Sequence, residues 1–272
     1  IDIIFHLAAE AIVGRSQENP LNAFKSNITG TWEVLEASRR QKNAPAIVIA
    51  SSDKAYGEHK KLPYKEGAAL IANHPYDVSK SCADLIANTY AHTYGLPVAI
   101  TRSGNIYGPG DFNFSRLIPD AIRCILSGKT LKIRSNGKFI RDYVYIDDVV
   151  QGYVRIAELL AQGRFKGEAF NLSNERPLSV MKVLEEIKRP GFSDKQLEYK
   201  IMNTARYEIK KQYLSSAKAR RVLGWRPKYG IREGFKKTVD WYSVYLRKGG
   251  VSLKGDVSVF RRKTETSPVS RL

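Results

Sequence analysis

Hydrophobic residues along this chain fall alternately into short unbroken runs and into longer segments with a helical period. The runs at 2–6, 46–50 and 98–102 predict buried strands, whereas 20–40 and 76–94 carry apolar residues three and four positions apart, as amphipathic helices do. Strand, helix, strand, helix, strand in this order is typical of a parallel sheet joined by right-handed crossovers. The sequence therefore predicts an α/β fold in which ligands bind at the carboxyl ends of the strands.

The pattern changes after residue 109, where the predicted strands become shorter. Helices are predicted at 117–126, 147–161, 179–187, 215–223 and 231–246, and strands at 131–134, 141–145 and 169–172. We expect one domain at 1–109 and a smaller α+β lobe at 110–247, with the segment 147–172 returning to the first domain. Residues 248–272 are rich in Ser, Lys and Arg without a period, and they are predicted to form a disordered basic tail.

Composition narrows the class of protein. No run of about 18 apolar residues occurs, so neither a transmembrane helix nor a membrane partner is expected. Two cysteines and four histidines show no disulfide framework and no metal-ligand spacing, which indicates a reduced, cytoplasmic compartment and no metal site. The net charge of +18 is compatible with nucleic-acid binding, but the basic residues are spread along the chain without a nucleic-acid-binding motif. Attraction of an anionic substrate is therefore the preferred interpretation.

The stretch at 51–80 carries the residues with the clearest chemistry. Ser51 and Ser52 directly follow a predicted strand, and Tyr76 opens the helix on which Lys80 lies one turn later. A Tyr hydroxyl, whose pKa is ordinarily about 10, becomes a better base when a nearby cation lowers that pKa. Hydroxyls at the strand end can hydrogen-bond a substrate alcohol beside the phenol. This arrangement suits removal of a proton from a sugar hydroxyl while its carbon loses hydride.

Eight motifs occur in order along residues 1–247. They are F-H-L-A-A at Phe5–Ala9, N-I-T-G-T at Asn27–Thr31, S-S-D-K-A-Y-G at Ser51–Gly57, Y-D-V-S-K at Tyr76–Lys80, R-S-G-N-I-Y-G-P-G at Arg102–Gly110, I-R-D-Y-V-Y-I-D-D at Ile140–Asp148, F-N-L-S at Phe170–Ser173 and L-G-W-R-P at Leu223–Pro227. Together they resemble the extended short-chain dehydrogenase/reductase family, specifically its NAD-dependent epimerases and dehydratases. The resemblance implies a Rossmann-like sheet, NAD as cofactor, a nucleotide-diphosphate sugar as substrate, and a homodimer formed through the helices at 20–40 and 76–94.

Within that family the chain resembles the nucleotide-sugar 4,6-dehydratases, which oxidise C4 of the sugar, eliminate water across C5–C6 and return hydride to C6. By this resemblance Tyr76 is the O4 base, Lys80 its electrostatic partner and a ribose ligand, and Ser52 the O4 hydrogen-bond partner. Asp53 is the predicted acid at O6 and Lys54 the predicted base at C5, which requires a raised pKa for the acid and a lowered one for the base. The order Asp-Lys, rather than Asp-Glu, resembles the CDP-glucose 4,6-dehydratases, although Ser52 replaces the usual Thr.

The same resemblance predicts the binding residues. Contacts with NAD are predicted for Leu7, Ala8, Ala9, Asn27, Ser51, Tyr76, Lys80 and Ile106. Asn27 is expected to act by supporting the strand-end loop through a helix-to-loop hydrogen bond. Contacts with the substrate are predicted for Asn105, Arg116, Lys132, Arg134, Arg141, Asn171 and Arg206. Arg141 is the candidate for the diphosphate because a guanidinium matches phosphate bidentately, although any basic residue taken singly is more often a solvated surface group.

Three alternatives stay open at the level of the sequence. The Asp53–Lys54 pair is also typical of a solvated strand end. A 4-epimerase of the same family has no chemical task for either residue. A non-catalytic or nucleic-acid-binding protein can retain the same fold, although intact Tyr76 and Lys80 argue against that interpretation.

A Gly-rich turn that receives the cofactor pyrophosphate at a helix N-terminus does not occur in this chain. The resemblance therefore implies that two βαβ units precede Ile1 in the family pattern. By the same reasoning, the 272 residues alone are expected to bind NAD weakly and to show no turnover.

Overall fold

The computed structural model describes residues 1–188, 196–206 and 208–247, so the predicted tail at 248–272 lies outside the described residues. The first part alternates strands with helices: β1 (Ile3–His6), α1 (Val13–Glu18), α2 (Pro20–Phe24), α3 (Gly30–Arg39), β2 (Ala46–Ala50), α4 (Pro75–Tyr94) and β3 (Val98–Ser103). A π-helical segment, Lys25–Thr29, joins α2 to α3, and a 3-10 turn, Asp53–Tyr56, follows β2. Among these described residues, no helix combines the length and apolarity that crossing a membrane requires.

The second part contains shorter strands and the remaining helices. These are β4 (Asn105–Tyr107), α5 (Leu117–Ser127), β5 (Leu131–Ile133), β6 (Ile140–Arg141), β7 (Tyr143–Tyr145), α6 (Ile146–Ala161), β8 (Glu168–Leu172), β9 (Leu178–Ser179), α7 (Val180–Ile187), β10 (Tyr199–Ile201), β11 (Lys211–Gln212), α8 (Ala217–Leu223) and α9 (Ile231–Arg247). Each predicted helix and strand is present within a few residues of its expected bounds.

The central sheet has four parallel strands in the order β1-β2-β3-β8. Side chains of a strand alternate between the two faces. On one face, Ile47 of β2 packs with Leu35 of α3. On the other face, Val48 packs with Ile156 of α6. Helices thus cover both sides of the sheet, and each buried aliphatic side chain stabilises the fold by roughly 1.5–3 kcal/mol. The predicted parallel α/β fold is confirmed.

A second hydrophobic core lies among α5, α7 and α9. It contains Ile122 of α5, Val183 of α7 and Phe235 of α9, and the small sheets β10-β5 and β4-β7 contribute to it. Strand β4 follows β3 after one residue, Gly104, where a Cβ atom would lie 3.1 Å from the Cβ of Asp142. Since a side chain here would crowd Asp142, the position favours glycine, and the second core begins directly at the carboxyl end of the central sheet. That end therefore forms a boundary between the two cores.

The loop at 57–74, which its polar sequence predicts to lie on the surface, has a buried anchor. Tyr64 is 1% exposed, its ring centroid lies 4.9 Å from that of Tyr56, and both pack with Leu214. The loop begins at Gly57, whose φ of +70° and close approach to the backbone of Ile71 exclude a side chain. The segment is therefore held against the strand end that precedes it.

A buried ion pair links α4 to the central sheet. Arg102 of β3 donates from Nη2 and Nε to the two carboxylate oxygens of Asp84, at 2.8 and 3.0 Å, and the side chains are only 7% and 2% exposed. Arg102 also donates to the Tyr56 hydroxyl at 2.9 Å. A bidentate pair of this kind fixes orientation as well as distance. The carboxyl end of β3 and the middle of α4 are therefore held in register.

Candidate active site

The loop after β2 brings four of the predicted catalytic residues together. Ser52 caps the 3-10 turn, since its Oγ accepts from the Lys54 amide at 3.2 Å and donates to Asp53 Oδ1 at 3.2 Å. The Tyr76 hydroxyl hydrogen-bonds to the same Ser52. Ser52 thus joins Asp53, Lys54 and Tyr76.

Helix α4 is tied to the strand end by three side-chain hydrogen bonds. Lys80 Nζ donates to the Ala50 carbonyl at 2.8 Å. Ser81 Oγ donates to the Ala55 carbonyl at 2.8 Å. From the other side, Ser51 Oγ donates to Asp84 Oδ2 at 2.7 Å. These contacts place Tyr76, one turn before Lys80, beside Ser52.

The expectation that Lys80 lowers the pKa of Tyr76 is wrong for this structure. Burial is the largest influence and raises the pKa of Tyr76 to about 12, while the hydrogen bond with Ser52 works in the opposite direction. The cation that acts most on the phenol is Arg116, not Lys80. The pKa of Lys80 is itself lowered to about 8 by burial, which the Asp84 charge partly offsets. Desolvation therefore outweighs the Tyr–Lys attraction here.

Asp53 and Lys54 show opposite pKa shifts. Burial raises the pKa of Asp53, which is 3% exposed, to about 6, although the charges of Lys54 and Arg141 oppose the shift. Burial also lowers the pKa of Lys54, and the nearby Arg141 lowers it further. Both directions are those that an acid and a base working near neutral pH require. Asp53 is buried and Lys54 is partly buried, in contrast to the solvated strand end that the sequence left open.

Arg141 lies at the edge of this group and is 8% exposed. Its Nη1 donates to the carbonyls of Ile140 and Lys210, at 2.9 and 3.4 Å, and its Nη2 lies 3.8 Å from Glu208. Its positive charge acts to lower the pKa of both Asp53 and Lys54. Of the residues predicted to bind substrate, Arg141 is therefore among those that the structure brings to the catalytic group, together with Arg116.

Arg116 and the remaining substrate candidates divide into two groups by their contacts. Arg116 pairs with Asp111 at 3.2 Å, and Arg134 lies 3.9 Å from Glu208, the acid that also faces Arg141. Asn105 is exposed and hydrogen-bonds to Tyr143. By contrast, Lys132 and Arg206 are exposed, and no contact with the catalytic residues supports the prediction for either one among the described residues.

Asn171, which was predicted to bind substrate, makes its hydrogen bonds inside the protein in this structure. Asn171 is fully buried; its Oδ1 accepts from the Tyr56 hydroxyl at 2.7 Å, and its Nδ2 donates to the carbonyls of Tyr64 and Ser215 at 3.1 and 3.2 Å. Both amide hydrogens are already used inside the protein. Asn171 therefore anchors the 57–74 loop to β8, which explains a polar residue inside a buried strand.

The residues predicted to contact NAD cluster at the carboxyl ends of β1 and β2. Leu7 and Ala8 are exposed, and Ala9 is partly buried. Asn27, 1% exposed, accepts from the Glu10 amide at 2.7 Å and donates to the Glu10 carbonyl at 3.0 Å and to Ser79 Oγ at 2.8 Å. It makes the expected helix-to-loop hydrogen bonds. Ile106 of β4 is partly buried.

Two acidic residues near the catalytic group were not among the predicted site residues. Asp77, next to Tyr76 on α4, is 3% exposed. Its negative charge acts to raise the pKa of Lys54 and that of Asp53. Glu208 lies near Arg141 and also acts on Lys54. The signal that could have found Asp77 is its place directly after Tyr76 in Y-D-V-S-K. Nothing in the sequence around Glu208 marks it.

A parallel sheet whose second strand ends in Ser51-Ser52, with Tyr76 and Lys80 one turn apart on the next helix, defines an extended short-chain dehydrogenase/reductase of the epimerase/dehydratase type. The family model described as GDP-mannose 4,6 dehydratase matches residues 1–238. The chain belongs to this family.

Relatives of known activity include both dehydratases and epimerases. The chain is 33% identical over 251 residues to a trifunctional UDP-glucose 4,6-dehydratase, epimerase and reductase of Arabidopsis thaliana, covering 89% of this chain but 36% of the relative. It superposes on UDP-glucose 4-epimerase of Thermotoga maritima, solved with UDP-glucose, with a TM-score of 0.81, 30% identity, and coverage of 90% and 78% of the two chains. For dTDP-glucose 4,6-dehydratase of Bacillus anthracis, solved with NAD, the TM-score is 0.77 and the identity is 29%. The match covers 91% of this chain and 74% of the other. The chain thus spans about a third of the plant relative.

The raised pKa of Asp53 leads to a prediction about stability. The folded pKa of about 6 exceeds the ordinary 3.8, so the stabilisation from protonated Asp53 is fully present below about pH 3.8 and lost as the pH rises through about 6. We predict that Asp53→Asn raises the free energy of unfolding at pH 7 by roughly 2–3 kcal/mol, and by much less at pH 4. Urea denaturation at both pH values measures this difference.

Asp120→Asn is the control, because Asp120 forms a partly exposed pair with Arg123 at 2.5 Å on α5. It should not reproduce the pH-dependent gain. Equal effects of Asp53→Asn at pH 4 and pH 7 would contradict the raised pKa.

Proposed function

We propose that the protein is an NAD-dependent nucleotide-sugar 4,6-dehydratase that acts on CDP-glucose. The observation that carries the proposal is the pair of buried Asp53 and partly buried Lys54, whose pKa values are displaced in opposite directions beside Tyr76. Oxidation at C4 requires only a base at O4. Elimination of water across C5–C6 additionally requires an acid at O6 and a base at C5, and the pair supplies one of each.

The residues at the ends of β1 and β2 fit the nicotinamide side of a dinucleotide. Leu7 and Ala8 present small or apolar surface to solvent, and the Lys80 ammonium, with three N–H donors, faces the same strand ends from α4. Lys80 and Ser51 would hold the cofactor ribose and nicotinamide. When bound, NAD⁺ accepts hydride from C4 of the sugar and returns it to C6.

The roles of the protein side chains follow from their contacts. Tyr76 takes the O4 proton, and Ser52, which already hydrogen-bonds to the phenol, holds O4 beside it. Neutral Lys54 removes the C5 proton, and protonated Asp53 gives its proton to the departing O6. Burial favours the neutral form of both groups before the elimination begins.

The cationic residues support an anionic substrate. Arg141 borders the catalytic group. Arg116 lies at the start of α5, and its positive charge acts to lower the pKa of Tyr76. We propose that Arg141 binds the diphosphate, with Arg116, Arg134 and Asn105 beside it. Guanidinium groups suit this task because they donate to phosphate oxygens in pairs. The net charge of +18 also favours approach of a nucleotide diphosphate.

The choice of CDP-glucose rests on the Asp-Lys order after Ser52, which resembles the CDP-glucose enzymes. Incubating the full-length protein and NAD⁺ separately with CDP-, dTDP-, UDP- and GDP-linked sugars tests this choice. The highest kcat/KM is expected for CDP-glucose. A higher kcat/KM for another nucleotide would reassign the base and leave the reaction type unchanged.

A 4-epimerase is the second candidate function, and the similarity to UDP-glucose 4-epimerase of Thermotoga maritima favours it. In an epimerase Asp53 and Lys54 have no chemical role. A buried acid and base with displaced pKa values would then cost stability without a benefit. That cost is the reason we prefer the dehydratase.

Asp53→Asn separates the two functions. In a dehydratase it removes the acid at O6, so formation of the 4-keto-6-deoxy sugar should fall by about 10²–10⁴-fold. The product is measured by its absorbance in alkali, with Asp120→Asn as the control expected to retain activity. Release of an epimer by the wild-type protein without any 4-keto-6-deoxy absorbance would contradict the dehydratase proposal.

We further propose that the protein is a homodimer formed through α2, α3 and α4. These helices expose large apolar side chains, including Leu21 (68%), Leu85 (59%) and Trp32 (44%). Light scattering of the full-length protein should give twice the monomer mass, and Leu85→Glu should shift it to monomer. Val244→Glu is the matched control, because Val244 is 53% exposed on α9. A wild-type monomer at micromolar concentration would contradict the proposal.

A further inference from the structure

Four ionisable side chains surround Lys54, the predicted C5 base: Asp53, Asp77, Arg141 and Glu208. The proposed reaction uses three of them or assigns them to an ion pair. Asp77 has no role in that scheme, yet it is 3% exposed in the first turn of α4, directly after Tyr76. A buried carboxylate without a function is costly, since burial opposes its charge.

The geometry of α4 places Asp77 on the helix face that packs against the turn carrying Lys54. Residues four apart on a helix share a face, so Asp77 and Ser81 lie on the same side of α4. Ser81 Oγ donates to the Ala55 carbonyl at 2.8 Å and to the Asp77 carbonyl at 3.1 Å. Ala55 belongs to the 3-10 turn that also carries Lys54. The face of α4 that bears Asp77 is therefore packed against the turn that bears the lysine.

The charges that meet at this contact come from several elements. The positive charges of Lys54, His74 and Arg141 act to lower the pKa of Asp77. The charge of Asp77 in turn acts to raise the pKa of Asp53 and that of Tyr76. Among the acids around Lys54, Asp77 raises its pKa most, ahead of Asp53 and Glu208. Reciprocally, burial raises the pKa of Asp77, and Lys54 is the charge that most opposes this rise. Each is thus the strongest opposite charge for the other.

The other two acids are less suited to remain as the negative partner. Asp53 must be protonated to act as the acid, so it carries no charge when the elimination starts. Glu208 is 28% exposed and is shared between Arg134 and Arg141, at 3.9 and 3.8 Å. Asp77 is the buried acid that remains, and the positive charge formed on Lys54 favours its ionised form against the effect of burial.

We propose that Asp77 is the counter-ion of Lys54 and a positioning residue for the elimination, an inference that rests on the proposed function. In this step the neutral Lys54 amine takes the proton from C5, and the C5–H electron pair forms the C5–C6 double bond. The C6–O bond breaks, and the oxygen leaves as water with the proton of Asp53. The positive charge formed on Lys54 is stabilised by the carboxylate of Asp77.

The test measures the pKa of Lys54 directly in the full-length protein. Lysine labelled with ¹³C at Cε is titrated by NMR, and the Lys54 signal is assigned by its loss in Lys54→Arg. Asp77→Asn removes the charge at nearly constant shape. Its expected effect is a fall of the Lys54 pKa by at least about one unit, a tenfold loss of proton affinity.

Two further variants and a control complete the design. Asp77→Ser is a second neutral variant in case the asparagine fails to fold, and Asp77→Glu retains the charge and should restore the Lys54 pKa. Asp120→Asn, also an acid in the first turn of a helix with a cation beside it, should leave the Lys54 pKa unchanged. An unchanged Lys54 pKa in the neutral Asp77 variants would overturn the proposal.

Turnover measurements separate this inference from the proposed function. If Lys54 is the base, the acidic limb of the rate profile should move to lower pH in Asp77→Asn, because less alkaline conditions then suffice to deprotonate Lys54. If the Lys54 pKa falls in Asp77→Asn but the wild-type protein turns over no nucleotide sugar, the counter-ion role of Asp77 stands and the dehydratase proposal is overturned. A lowered pKa with an unmoved acidic limb would show that Asp77 does not act on catalysis through Lys54.

Discussion

The candidate active site depends on the polar contact between one face of α4 and the carboxyl end of β2. Lys80, Ser81 and Asp84 of the helix meet Ala50, Ala55 and Ser51 of the strand-end loop through hydrogen bonds that are buried or partly buried. Leaving one such group unpaired costs roughly 1–3 kcal/mol, because water does not replace the lost partner. Since the three contacts span little more than one turn, they fix both the height and the rotation of the helix. The position of Tyr76 beside Ser52 follows from them.

Burial is the common physical cause of the electrostatics at this site. It opposes the charged form of every catalytic candidate, so it raises the pKa of Tyr76 and Asp53 and lowers that of Lys54 and Lys80. For Asp53 and Lys54 the effect favours acid–base chemistry near neutral pH. For Tyr76 the same effect works against a base, and the hydrogen bond with Ser52 and the charge of Arg116 offset part of it. Burial, which stabilises the fold, therefore favours the function of some of these residues and opposes that of a neighbouring one.

The local parts of this structure were predictable from sequence, and the long-range parts were not. The apolar run Ala46–Ala50 and the helix up to Gly95 are set by nearby residues, so their bounds agree closely with the expectation. Asn171 shows the limit, because a motif position gave no sign that its amide would be used by the distant Tyr64 and Ser215. The direction of the Tyr76 pKa was missed for a related reason. Spacing reveals which charges are near, but burial depends on packing from the whole chain.

The central claim is that a buried acid and base at the end of β2 remove water from a sugar. Isotopic labelling tests this most directly, because the elimination exchanges hydrogen at C5 and moves the C4 hydrogen to C6. The full-length protein is incubated with NAD⁺ and CDP-glucose deuterated at C4, and in parallel with unlabelled CDP-glucose in D₂O. We predict that the C4 deuterium appears at C6 of a 6-deoxy product and that one solvent deuterium enters at C5. A product that keeps its 6-hydroxyl group and takes no solvent deuterium at C5 would contradict the claim.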